Sequence, residues 1–138
     1  MRAIALAALI GVSSSDFAFA DDPLGTWAME GGKVTVQVSS CGGALCGRII
    51  GLNKPFDKHG NPKLDKDNPD PALRRRPVIG LTLFRDMKQT GDNQWEGQIY
   101  VPDDGRTYDA IVYVSGDVMK VKGCLVVFCK AKKFQRIN

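Results

Sequence analysis

The sequence is poor in the groups that catalysis most often uses. It holds a single histidine, His59, in the turn-like run Lys58-His59-Gly60-Asn61, where nothing nearby orients or tunes it. That placement reads as an exposed loop residue rather than a general base. No G-x-S-x-G elbow occurs, which excludes the nucleophile of an α/β-hydrolase. The glycines are scattered through turns and build no phosphate-cradling loop. No C-x-x-C is present, which sets aside a thioredoxin-like redox pair. Carboxylates such as Glu96 or Asp109 would serve as acid–base groups inside a barrel, but strand alternation onto a solvated face accounts for them. The sequence therefore nominates no catalytic residue and leans against an enzyme.

Extremes of composition are missing as well. Across 138 residues, 43% are hydrophobic and 25% charged, with 19 Lys plus Arg against 15 Asp plus Glu. These values exclude a disordered chain, a collagen-like chain and a multi-pass membrane protein, and the length suits one domain. The one long apolar run is N-terminal. Arg2 precedes Ala3-Ile4-Ala5-Leu6-Ala7-Ala8-Leu9-Ile10, and Ala18-Phe19-Ala20 fits the small-x-small cleavage rule. The run is far short of the roughly 20 residues a bilayer span needs. The expectation is a cleaved secretory signal peptide over 1–20 and a single exported domain over 21–138, with no other stretch able to span a membrane.

What is present has its own pattern. Four cysteines form two pairs of identical spacing, Cys41-x4-Cys46 and Cys124-x4-Cys129, each bracketing a turn. Four-residue hairpin loops would place the flanking cysteines opposite one another. Of the three connectivities, the two local bridges are favoured. The rival, a four-cysteine zinc site, fits poorly with the spacing and with an oxidising compartment.

Hydrophobicity has period two almost throughout. In Lys33-Val34-Thr35-Val36-Gln37-Val38-Ser39 the valines share one face, as in a half-buried strand. Further strands are expected at 24–30, 46–52, 78–87, 93–101, 106–114, 117–123 and 129–136. Spacing of about ten residues is the meander pattern. The expected fold is all-β, a small antiparallel barrel of about eight strands whose closure removes exposed edges.

Residues 53–77 break the pattern. Five of the seven prolines fall there, and proline cannot donate to a strand ladder. Long irregular loops in compact domains are usually functional or disordered. Within it, Pro71-Ala72-Leu73-Arg74-Arg75 suits one helical turn capped by Asp70. Asp65, Asp67, Asn68 and Asp70 offer oxygen ligands to a hard cation, with Asp57 and Asn61 just upstream and Asp103 and Asp104 joining if the two loops meet. Solvated Asx-type turns before proline account for the same residues. Arg74-Arg75-Arg76 is weak support for nucleic acid, since no aromatics interleave it. It suits an anionic headgroup, or an internal pair between Arg76 and a nearby aspartate.

A closed eight-stranded barrel is either filled or holds one small ligand. For the ligand, Trp27, Tyr100 and Tyr108 would supply apolar and hydroxyl contacts, and Arg48 or Arg76 the contact to an anionic headgroup. Trp95, Gly97 and Ile99 share one face, and Gly97 leaves room there for a ligand or a neighbouring ring.

The motif order is Asp22-Pro23-Leu24-Gly25-Thr26-Trp27, then Cys41-Gly42-Gly43-Ala44-Leu45-Cys46-Gly47-Arg48-Ile49, Asp65-Lys66-Asp67-Asn68-Pro69-Asp70-Pro71-Ala72-Leu73-Arg74-Arg75-Arg76-Pro77, Trp95 through Tyr108, and Gly123-Cys124 with Cys129. It resembles the bacterial family called domain of unknown function 2147, small exported proteins mostly of Gram-negative bacteria. The resemblance spans nearly all of 21–138 and implies a lipocalin-like barrel in the periplasm. Two departures stand out: Phe134-Gln135-Arg136 replaces a tryptophan followed by Arg, and Val78-Ile79-Gly80 lacks a cysteine often found after the Arg-Pro.

Together these features point to a non-enzymatic periplasmic binding or envelope-accessory protein. Its barrel or long loop would take a small amphipathic molecule or an envelope protein. The alternative is a calcium- or lanthanide-like cation module on the acidic 57–70 loop, with dimerisation supplying further ligands. That cation is the one cofactor candidate. An enzyme of unknown type is the remaining reading.

Overall fold

A computed structural model describes residue 3, residues 7–11 and residues 22–138. The signal peptide expected over 1–20 lies, for the rest, outside the described residues. The chain forms β1 (Gly25–Met29), β2 (Val34–Cys41), β3 (Ala44–Leu52), β4 (Thr82–Gly91), β5 (Gln94–Val101), β6 (Arg106–Ser115), β7 (Val118–Leu125) and β8 (Phe128–Arg136). Each strand pairs antiparallel with its sequence neighbour, and β8 returns to β1 to close the barrel. Among the described residues no helix is long and apolar enough to cross a membrane.

Period two produces this directly. Val36 and Val38 of β2, Ala110, Val112 and Val114 of β6, and Met119 and Val121 of β7 are buried while their neighbours are exposed or half-buried. Their shared inner face holds Trp27, Phe84 and Phe134, with Phe84 set edge-on to Phe134 at 6.2 Å. A Cβ on Gly47 would lie 2.2 Å from the Phe84 ring, so the missing side chain is the space the ring occupies. The interior there is filled, and a buried aromatic of this kind contributes roughly 1.5–3 kcal/mol.

Two expectations about turns and strand limits are revised. The cysteine pairs do not flank four-residue loops. Two-residue turns at Gly42-Gly43 and Val126-Val127 carry the ladders up to or beyond the cysteines, so Cys124 pairs directly with Cys129 while Cys41 and Cys46 bridge diagonally. Gly42 and Gly43 both have positive φ, 57° and 84°, the geometry that matches the twist of a tight hairpin. The fourth strand starts at Thr82, not 78. The apolar run before it lies along β3 through bonds from Ile49 N to Leu81 O (2.8 Å) and Gly80 N to Ile49 O (2.7 Å) without becoming a strand.

A meander puts alternate connections at opposite ends. The 30–33, 53–81, 102–105 and 126–127 connections form one rim. The opposite end carries the other hairpins and both ends of the barrel chain. There the Arg136 guanidinium lies 4.3 Å above the Trp27 ring and donates to Leu24 O, Asp22 O and Gly116 O, while Trp27 Nε1 donates to Pro23 O at 2.9 Å. Among the described residues these contacts seal that end over Trp27.

Candidate functional site

The long loop is an ordered strap. Asp57 accepts from the amides of His59 and Asn61 in an Asx-type turn, and Phe56–Pro62 and Leu64–Pro77 form isolated bridges. Asp70 caps a single 3-10 turn, Pro71–Leu73, by accepting from Ala72 N at 3.0 Å. Backbone bonds from Asp65 N to Arg76 O and from Val78 N to Lys63 O tie the outgoing arm to the returning one.

Its centre is Asp65, whose side chain is 0% exposed. The carboxylate accepts from Tyr100 Oη at 2.5 Å, Asn68 Nδ2 at 2.8 Å and Arg76 Nε at 3.1 Å, with Arg76 Nη2 also at 3.1 Å. Arg76 thus makes the internal pair with an aspartate, and its guanidinium also sits 5.9 Å from the Tyr100 ring centre. Burial, followed by the bond to Asp65, pushes the Tyr100 hydroxyl up to about 12, because ionising it would place a second negative charge in a dry site. Arg74 Nε donates to the Asn68 backbone O at 2.7 Å, and the Asn68 side chain, donating to Asp65 through Nδ2, accepts from Asp70 N at Oδ1.

Register decides where this network lies. On β5 the residues Trp95, Gly97 and Ile99 take the inner face, and β5 pairs with β6 without interruption from Gln94↔Tyr113 to Val101↔Arg106. Tyr100 therefore points outward, beside Thr107, and is buried because the strap lies over it. The strap reaches the 102–105 turn as well: a Cβ on Gly105 would fall 1.8 Å from Asp67 O, and Gly105 has φ 68°. The two acidic segments do meet, through backbone.

Between strap and wall runs an open groove of about 630 Å³. Leu73, Pro77, Ile79 and Leu81 give it an apolar floor, Thr82 and Thr107 hydroxyls, and Arg76 and Arg85 positive charge; no carboxylate lines it. Nothing in the sequence marks Arg85, Thr82 and Thr107, since only the pairing of β4 with β5 and of β5 with β6 sets them beside Tyr100 and the strap.

The other candidate residues are dispersed. Trp27 is fully buried at the sealed end, away from the groove. Arg48 is exposed on β3, its register partner Thr82 being a groove residue. Tyr108 lies on the inner face at the rim, packed where Gly123 has no side chain, and donates to Asp104. That bond, more than burial, raises its hydroxyl above the usual tyrosine range. Of the proposed cation ligands, Asp65 and Asn68 bond to each other and to Arg76 or Arg74. Asp70 caps, Asp103 pairs with Lys33 at 2.5 Å, and Asp104 accepts from Arg106 N and Tyr108 Oη. Among the described residues no group of three or more His, Cys, Asp or Glu is gathered as a metal would need. Glu96 and Asp109 are exposed on the wall.

Comparison with known proteins adds the following. The family model described as "Uncharacterized protein conserved in bacteria (DUF2147)" matches residues 25–136. No curated protein matches the chain. A solved structure of a protein from the human pathogen Helicobacter pylori, described as belonging to the lipocalin family, superposes with a TM-score of 0.73 at 20% identity, covering 85% of this chain and 84% of that one. The shared element is the fold: a closed eight-stranded meander barrel of lipocalin type.

Proposed function

The chain belongs to the DUF2147 family, and from that premise we propose that it is a non-enzymatic binding protein of the periplasm, taking a small amphipathic anion in the groove between strap and wall. The observation that carries this is the groove itself, an apolar floor edged by Arg76 and Arg85 with no acid on its lining. An acyl or other apolar body would cover Leu73, Ile79 and Leu81, and an anionic head would meet the Arg85 guanidinium, whose forked donors suit carboxylate and phosphate alike, beside the edge of Arg76 that Asp65 does not hold. Tyr100 holds the strap in place from behind, and Arg48 stands one strand away. Two disulfides fit a chain that matures in an oxidising, exported compartment.

The experiment is titration of the delipidated, oxidised chain with a fluorescent fatty-acid probe. Saturable binding that weakens about tenfold in Arg85→Glu supports the groove, one charge-assisted contact being roughly 1.5–3 kcal/mol. No binding by the parent removes the reading. A melting scan with calcium and with a trivalent lanthanide belongs in the same series, because a cation that binds the native state raises the melting temperature. A rise lost in Asp67→Asn would move the function to the acidic segment.

A further inference from the structure

The most exposed apolar side chains of the barrel are contiguous: Val126 is 95% exposed, Val127 82% and Phe128 80%. They form the tip of the β7–β8 hairpin. Pairing of β8 with β1 ends at Met29↔Phe134, whereas its pairing with β7 continues to Leu125↔Phe128. Residues 128–133 thus run beyond β1 and, among the described residues, receive one backbone bond from that side, Glu30 N to Lys133 O. The hairpin projects from the rim, and the Cys124–Cys129 bridge clamps it just behind the tip.

Two features of this hairpin oppose folding. Val126 has φ 55°, a region that β-branched residues rarely adopt, while the tight turns at the sealed end use Gly42-Gly43, Asn93 and Gly116 for positive φ. Lys120 also sits directly opposite Lys133, a like-charge pair that weakens a ladder. The charge is concentrated. From Val118 to Phe134 there are five bases (Lys120, Lys122, Lys130, Lys132 and Lys133) and no acid, while the rest of the chain has fourteen bases and fifteen acids. Lysines on an exposed edge guard against strand pairing, but that role accounts for neither Lys120 nor an apolar tip.

We infer that the β7–β8 hairpin docks the barrel on an anionic lipid surface, with Val126, Val127 and Phe128 entering the boundary of headgroups and acyl chains and the lysines behind them meeting phosphates. The chemistry is that of interfacial attachment: a small apolar wedge, too slight alone to hold, combined with a basic patch whose long side chains reach headgroups. Three side chains are also too small a surface for a stable protein interface, which needs about 1,200 Å² or more. A second copy is disfavoured by charge, because the groove it would enter carries Arg76 and Arg85. The inference does not depend on what the groove binds.

The test is flotation of the oxidised chain with vesicles of phosphatidylglycerol and phosphatidylcholine, and with phosphatidylcholine alone. The parent is compared with Val126→Ser/Val127→Ser/Phe128→Ser and with Lys130→Glu/Lys132→Glu. These variants share every residue outside the hairpin, so any contribution of the N-terminal segment cancels, and a melting curve checks that each folds. The expected result is binding to anionic vesicles that falls roughly tenfold or more in each variant and declines with added salt. Equal binding to neutral vesicles, or full binding by the triple-serine variant, overturns the inference. So does a parent dimer that the serine variant dissolves, without any affinity for vesicles.

Discussion

The same rim carries two connections that invert the usual placement of polarity. The strap buries a carboxylate completely, and the β7–β8 hairpin exposes two valines and a phenylalanine almost completely. In the strap the burial is compensated donor by donor: Tyr100, Asn68 and Arg76 each contribute a bond to Asp65, and no buried side-chain polar atom among the described residues is left unpaired. At the hairpin nothing within the fold compensates for the exposure. A buried charge with a full set of partners is there to fix a shape, whereas an exposed apolar tip with none adds nothing to the fold and points to something outside it.

The comparison is broken most forcefully at Asp65. Asp65→Ala leaves the Arg76 guanidinium and the Tyr100 hydroxyl facing an empty buried site. Breaking a buried pair from one side costs roughly 3–5 kcal/mol, and because Arg76 is 40% exposed and able to regain water the lower end is expected. The midpoint of denaturant unfolding measures it. A loss under 1 kcal/mol would mean that the strap is held elsewhere.

Gly105→Ala attacks the other anchor. The added Cβ would overlap Asp67 O, and φ 68° disfavours any side chain, so either the strap lifts from the turn or the turn distorts. The expected loss is roughly 1–3 kcal/mol, with faster limited proteolysis within 53–81 than in the parent. Protection equal to the parent's would show that backbone contact at Gly105 does not hold the strap.

Much of this architecture can be read from the sequence, because an inner face repeated every second residue survives small errors of boundary. The helical turn at Pro71 was legible for a similar reason, since Asp70 and Pro71 act within three residues of each other. What could not be read depends on distant partners. Asp65 looks like a cation ligand until Tyr100, thirty-five positions later, is placed beside it, and strand register alone turns Tyr100 outward. The cysteine spacing suits a four-residue loop and a two-residue turn equally, and only the latter carries Val126 and Val127 to an exposed tip. The sequence does place a turn between Cys124 and Cys129, but valines in a turn give no composition signal that it is only two residues long and projects.

Tyr100→Phe sharpens the account of the strap. It removes one hydrogen bond to a charged acceptor, worth roughly 1.5–3 kcal/mol. The pH dependence separates this bond from packing. The folded hydroxyl titrates near 12 against an ordinary 10, so its contribution is complete below pH 10 and is lost as pH rises through 12. The stability difference between parent and Tyr100→Phe is therefore expected to shrink over that window. A constant difference would assign the effect to packing of the ring.

Val126→Gly gives the smallest change and has the opposite sign. Glycine adopts φ 55° without the penalty that a β-branched side chain meets there, and the exposed valine buries almost nothing that would be lost. Glycine's greater freedom in the unfolded chain offsets part of the gain. The net expectation is a rise in stability of up to about 1 kcal/mol, read as a higher denaturation midpoint. In the strap, substitutions at the anchors weaken the fold, because those residues are placed for it. At the tip, a substitution that improves the fold should lower attachment to anionic vesicles. Gain in one measurement with loss in the other is the mark of a residue kept for a surface it meets rather than for the barrel that carries it. A stabilised Val126→Gly that attached as firmly as the parent would return the tip to ordinary turn.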